Sequence, residues 1–407
     1  MRTMFMWALI VPFCLMGFDY YMSRFNEYKP TELGVTQQQM QQRQPQSEKL
    51  KLIDEDKGTM LLNGWGVDMD KDIFVNHQHA APLSLSIPQL NALKYRTWDY
   101  FLIHTPTHVI QFNLVDISLG VVCPTSSLIV FEKENLSKTL KRAEVNFDCP
   151  KYKRDSLALG EKVELASKAM NITIALKTGS TREYEITLVS KNPDLKMNLE
   201  FDYQENQGGI WATPLSNDLR NFFATQKRPV SVKGAYNLNG KEFKCQGTHC
   251  QMMIDIGRGS FNYGTAYFWV LIMTTLPDGR TLTLNLGDGI GSEYKTLQKA
   301  TEDFAILNGK FYKLDVTEMD YYKDDYFTKK TIRTAQSTQH GSKVFPNRGC
   351  NLNFEPADKM KEGLNIGVLA VVQHFSYGYF SGECIIEGET INLNRVYGHV
   401  EQVFSRW

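Results

Sequence analysis

Gly257-Arg258-Gly259 sets a guanidinium between two residues that lack side chains, two positions after Asp255 and in a chain that later offers Glu302 and Glu401. Arginine's planar fork grips a carboxylate through two hydrogen bonds. The motif therefore predicts a tight turn that aims Arg258 inward at Asp255, Glu302 or Glu401, either to orient the polar head of a ligand or to fix strands through a buried ion pair. It has neither the length nor the strand-to-helix setting of a phosphate loop. His374, in Gln373-His374-Phe375-Ser376-Tyr377-Gly378, is the best single acid–base candidate.

Other reactive residue types offer less. His77-x-His79 would place two rings on one face of a strand, and His104-x-x-x-His108 would do so on a helix, but neither pair has a third ligand and Pro106 interrupts the second. Cys245 and Cys250, with His249 beside them, lack the second close-spaced pair that structural zinc takes, so a hairpin disulfide or two free thiols is expected. No Gly-x-Ser-x-Gly elbow occurs. The acidic and aromatic run from Asp315 to Tyr326 misses the turn glycine and closing glutamate of a calcium loop and reads as a solvated strand edge. No catalytic residue, metal ligand or cofactor site is thereby named.

The elements that must position these residues are strands. Apolar residues alternate with polar ones at Ile110-Phe112-Leu114, Met170-Ile172-Ile174-Leu176, Met197-Leu199-Phe201-Tyr203 and Leu282-Leu284-Leu286, the period of a half-buried strand. Asn239-Gly240, Pro277-Asp278-Gly279, Asn308-Gly309 and Glu387-Gly388 supply hairpin turns between such runs. Long amphipathic helices are scarce. The body is expected to be mostly β, as two antiparallel barrel or sandwich halves over 60–230 and 231–407, and 407 residues suffice for both.

Ahead of the body stands an apolar run, Met4 to Phe18, of about 15 residues against the ~20 of a comfortable bilayer span, with Tyr20-Tyr21-Met22 extending it. Residues 1–25 are expected to be an uncleaved membrane-anchor helix, and 26–59 a polar, glutamine-rich arm. Forty-five basic residues balance 45 acidic ones, which argues against nucleic acid, whose binding draws on phosphate neutralisation.

The ordered motifs of the body resemble a known family. Leu93-Lys94-Tyr95-Arg96-Thr97-Trp98-Asp99-Tyr100, Gln226-Lys227 with Gly234, Asp255-Ile256-Gly257-Arg258-Gly259 followed by Tyr263, Thr265 and Trp269, Leu284-Asn285-Leu286-Gly287, Thr301-Glu302, Leu352-Asn353-Phe354-Glu355-Pro356, Gln373 with Gly378 and Gly382, and Gly398 with Glu401 and Arg406-Trp407 follow the pattern of DUF2804. The match runs over roughly 60–407. What the resemblance implies is a lipocalin-like fold similar to that of carotenoid hydratases and AttH-type proteins. With the motif reading it marks Arg258, Asp255, Glu302, His374, Tyr263, Trp269 and Glu401 as ligand-binding or core polar residues.

Two functions follow as expectations. The favoured one is a non-catalytic, membrane-tethered module, an accessory subunit of a larger membrane assembly that binds other protein subunits and an apolar ligand or lipid. Its compartment stays open, with the mitochondrial inner membrane set slightly ahead of the secretory pathway. The alternative is an enzyme, hydratase- or isomerase-like, acting on an isoprenoid or other apolar small molecule.

Overall fold

The alternating runs do form strands, and they pair antiparallel throughout. A computed structural model describes residues 51–407 apart from 62–63, 69–75, 77–78, 81–94, 117–124, 134, 146–159, 167–169, 204–207, 216–218, 262–263, 290–300, 320–325, 335–344, 346, 366–369 and 407. In Asp194–Asp202, Leu195, Met197, Leu199 and Phe201 are buried while Lys196 and Asn198 face water. That strand covers one face only. Gly208–Pro214 and Gln251–Ser260 are buried at every residue, because protein covers both of their faces and the polar half of the alternation has no water to meet.

Three of the expected turns are two-residue hairpin loops. Asn239-Gly240, Asn308-Gly309 and Glu387-Gly388 each take positive φ at both positions and join strands that pair Leu238 with Lys241, Leu307 with Lys310, and Ile386 with Glu389. Positive φ at both places is what the right-handed twist of a hairpin asks of its turn.

Thirteen strands between Gly64 and Ser260 form one sheet, and nine between Gly264 and Arg406 form another. The long strand Phe222–Leu238 runs through the expected 230/231 division, and the second sheet opens only at Gly264. Each sheet curls around its own apolar core. The first holds Phe101, Ile172, Leu199, Val232 and Ile254, closed by Leu52, Ile53 and Met60 from a small hairpin at the end of the polar arm. The second holds Val270, Leu284, Leu352 and Phe380.

The opposite faces of the two sheets meet in a third cluster. Across it Phe131 lies 4.4 Å from Tyr377, Trp211 5.2 Å from Phe304, and Trp65 5.8 Å from Phe311, measured between ring centres. Such rings bury large apolar areas at about 1.5–3 kcal/mol each, so the seam is a core in its own right. Polar residues placed in it are held rigidly.

Two expectations are corrected here. Among the described residues no helix is long and apolar enough to cross a membrane; Gly247–His249 is a single short helical turn. The apolar runs of the body are spent on strands that pair with one another. The single-pass N-terminal anchor and the placement in the mitochondrial inner membrane are therefore not supported; the proposed anchor helix at 1–25 lies outside the described residues. Cys245 and Cys250 are free buried thiols, whereas Cys350 and Cys384, directly opposite on paired strands, form a disulfide.

Candidate functional site

Register brings the polar seam residues together. On the first sheet Phe222–Leu238 pairs with Gln251–Ser260 so that Lys227 stands opposite Asp255 and Thr225 opposite Gly257. On the second, Gly264–Thr275 and Ala370–Ile386 flank Glu389–Arg406, and both Trp269 and Phe375 stand opposite Glu401. Residues two apart share a face. Thr225 and Lys227 thus join Asp255, while Trp269 joins Tyr267 beside His399 and Glu401.

Lys227 is the hub. Its ammonium lies 2.5 Å from Glu302 Oε2, 3.4 Å from Asp255 Oδ2 and 4.5 Å above the Trp269 ring. It spans the seam, since Asp255 belongs to the first sheet and Glu302 and Trp269 to the second half. Asp255 Oδ1 accepts hydrogen bonds from Thr225 Oγ1 at 2.7 Å and, at 3.4 Å, from the Trp98 indole. The Trp269 indole donates to Asn285 Oδ1 at 2.7 Å, and Asn285 in turn donates to the Glu302 carbonyl at 2.9 Å. Gln373 donates to Glu401 Oε1 at 3.2 Å.

A second buried lysine fixes the turn that carries Glu302. Lys313 donates to Thr301 Oγ1 and to the carbonyls of Asp303 and Leu314 at 2.8–3.0 Å. Asp303 Oδ1 accepts from the Gly287 amide and from Thr317. Four strands or turns of the second sheet are thereby tied at one spot, and Glu302 is delivered to the seam without freedom to swing.

Three carboxyls share one cation, and burial sets their states. Burial works to lower Lys227, but Asp255 and Glu302 outweigh it and hold the ammonium above its ordinary value. Burial raises Glu302, with Lys227 resisting. Burial, helped by the charges of Asp255 and Glu302, pushes Glu401 up to about 8, against the pull of Lys227. His399 is pushed down to about 3 by burial and by Lys227. At neutral pH the seam therefore holds a protonated carboxyl, a neutral imidazole and an ion-paired lysine within one face.

Aromatic rings cover this cluster at one end. Trp98 stacks 5.5 Å from Phe223 and lies 6.0 Å from Phe261, with Leu215 and Tyr267 in the same group. Gly257 explains the position of Trp98. A Cβ there would sit 1.9 Å from the indole ring, so the ring lies flat where a side chain would stand. Gly257→Ala is expected to expel the indole and cost about 1–3 kcal/mol as overpacking; an unchanged urea midpoint and Trp fluorescence would contradict this placement.

Of the residues singled out from the sequence, Asp255, Glu302, Trp269 and Glu401 come together. Arg258 does not join them. Gly257-Arg258-Gly259 lies inside a continuous strand rather than a tight turn, and strand alternation sends Arg258 to the other face, into the core of the first sheet. There Nη1 lies 3.3 Å from Asp99 Oδ1 and donates to the carbonyls of Trp98 and Gly257. Its partner is Asp99, not Asp255, Glu302 or Glu401. His374 also turns away, packing 3.9 Å from the Tyr326 ring, because it is one residue out of step with Gln373. Tyr263 and His77 lie outside the described residues. His108 bonds Tyr236 inside the first core while His104 faces the seam, so that pair does not converge. Among the described residues no group of three or more His, Cys, Asp or Glu could hold a metal ion.

Lys227 is the residue that sequence reasoning missed as a site member, and a signal existed. It interrupts a stretch, Phe222 to Val230, in which every residue is buried, and a lysine there demands a buried acid. His399 and Asn285 gave no comparable sign, since each becomes polar company only when the two sheets meet.

The comparisons with known proteins follow the same outline. The sequence profile of DUF2804, a domain of unknown function, matches residues 44–407. No curated protein matches the chain. Among solved structures, a putative AttH from Nitrosomonas europaea is similar at TM-score 0.43 and 12% identity, over 77% of this chain and 93% of that one. CghA with Sch210972 gives 0.47 and 8%, over 77% and 88%. Kievitone hydratase from Nectria haematococca gives 0.47 and 12%, over 78% and 91%. By its match over nearly the whole length, the chain belongs to the DUF2804 family.

Proposed function

We propose that this protein is an enzyme that moves a proton onto or off an unsaturated apolar small molecule, adding or removing water or shifting a double bond. The observation that carries the reading is the carboxyl of Glu401. It is buried on the seam face, held by Gln373, kept protonated near neutrality, and placed among two further carboxyls and an ammonium. A general acid works best with a pKa near the working pH, and pairs of acids pushed apart in pKa mark acid and base roles.

In the hydration direction, the Glu401 proton adds to one alkene carbon and the π pair becomes the new C–H bond. The cation left on the neighbouring carbon is stabilised by the faces of Trp269 and Tyr267. Water attacks that carbon and its proton passes to Asp255 or Glu302, so alkene and water give an alcohol. Loss of a different C–H proton instead gives the isomer. The Trp98, Phe223 and Phe261 rings offer the apolar substrate its resting surface.

Isotope labelling tests this. The purified chain is incubated with isoprenoid and aryl-substituted alkenes, and with the matching alcohols, in D2O and in H2 18O, and products are read by mass spectrometry. Carbon-bound deuterium or 18O incorporation above a Glu401→Gln blank is expected for at least one member. Equal labelling by both proteins, or none across the panel, sinks the reading.

A further inference from the structure

We infer that a pocket in the seam binds a small organic anion, a carboxylate or phosphate monoester carrying a short apolar tail, independently of the acid cluster around Glu401. The pocket, of about 340 Å³, opens where the ends of the first sheet's strands meet the end of Gly264–Thr275. It lies about 13 Å along the sheet from Asp255, four residues at the strand rise, since Gln251 lines it.

Its chemistry is cationic. Lys133 lines it, largely buried, with its ammonium 5.3 Å over the Tyr397 ring and no carboxylate among the described residues paired with it. Burial lowers this lysine to about 8, so it keeps its proton at neutral pH. His104 is 3% exposed, and neither ring nitrogen has a hydrogen-bond partner. A buried polar group left unpaired is costly, and a bound oxyanion would accept its N–H. Gln251 offers an amide that makes one long contact, 3.5 Å to the Thr274 carbonyl.

Shape and charge agree on the ligand. Among the described residues that line it there is no Asp or Glu, and exposed His249 stands among them. Met273 and Leu276 give an apolar wall. An oxyanion against Lys133, His104 and Gln251 would place its tail on that wall. A cation would meet like charge, and a wholly apolar ligand would leave the polar groups unpaired.

Calorimetric titration of the full chain decides the matter, with hexyl phosphate and hexanoate against hexanol, hexylammonium and inorganic phosphate. Binding of one or both tailed anions is expected, with hexanol and hexylammonium silent. Inorganic phosphate is expected to bind more weakly than hexyl phosphate. Lys133→Met should weaken the binding about tenfold or more, the worth of one charge-assisted hydrogen bond. His249→Glu, an exposed change that leaves the fold alone, should weaken it by repulsion at the mouth. Glu401→Gln should leave it unchanged, which separates this site from the proposed reaction. Silent tailed anions, equal binding of hexanol, or full affinity in both Lys133→Met and His249→Glu would overturn the inference.

Discussion

Lys227→Met is expected to destabilise the protein by about 3–5 kcal/mol, the usual cost of removing one partner from a buried ion pair. The lysine is 3% exposed, and its methylene stem already lies in a packed seam, so methionine fills nearly the same volume. What changes is charge. Asp255 and Glu302 would be left buried without their cation, each repelling the other's charge. The loss should depend on pH in one direction. Carboxyls without a cation relieve themselves by taking up protons, so the variant should approach the parent near pH 5 and fall furthest behind near pH 8. Urea midpoints of both proteins across that range check it. A deficit that is constant with pH would mean that packing, not charge, accounts for Lys227.

The same lysine shows how far the sequence could be read. The β class, the hairpins at Asn239-Gly240, Asn308-Gly309 and Glu387-Gly388, and the family were legible, because period-2 alternation and turn chemistry are local properties of the chain. The seam was not. In Gln251–Ser260 every residue is buried, and such a run does not say which sheet lies on which side. Arg258 and Asp255 differ by three positions, hence by opposite faces, and only the known direction of each face separates the Asp99 pair from the Lys227 pair. His374 illustrates the same limit: Gln373, one residue earlier, reaches Glu401, and the histidine points elsewhere. Pairing such as Lys227 with Glu302 joins residues 75 apart through contact between two sheets. No spacing rule reaches that far, although a lysine amid buried strand residues was a usable clue.

Glu401→Gln is expected to lower turnover by about 10²–10⁴-fold, the span of general acid catalysis, while changing stability in a pH-dependent way of calculable sign. The folded chain holds the Glu401 proton up to about pH 8, whereas an unfolded glutamate releases it near its ordinary value of 4.5. Between those limits the folded state binds more protons than the unfolded state, so this group's contribution is full below about 4.5 and is lost as pH rises through about 8, at about 1.4 kcal/mol per unit. His399 works the opposite way. Its folded pKa, about 3, lies below the ordinary 6.5, so its contribution is present above 6.5 and lost as pH falls towards 3. The two slopes oppose one another between about 4.5 and 6.5, which predicts a plateau of stability there and a decline on either side. Glutamine preserves the shape of Glu401 and a contact with Gln373 but cannot ionise. The variant should therefore gain on the parent from about pH 5 to about pH 8 and level off above it, and the parent's turnover should decline above about pH 8 as the acid loses its proton. Parallel melting curves across that range, or turnover that climbs through pH 8, would show that Glu401 is not the proton donor.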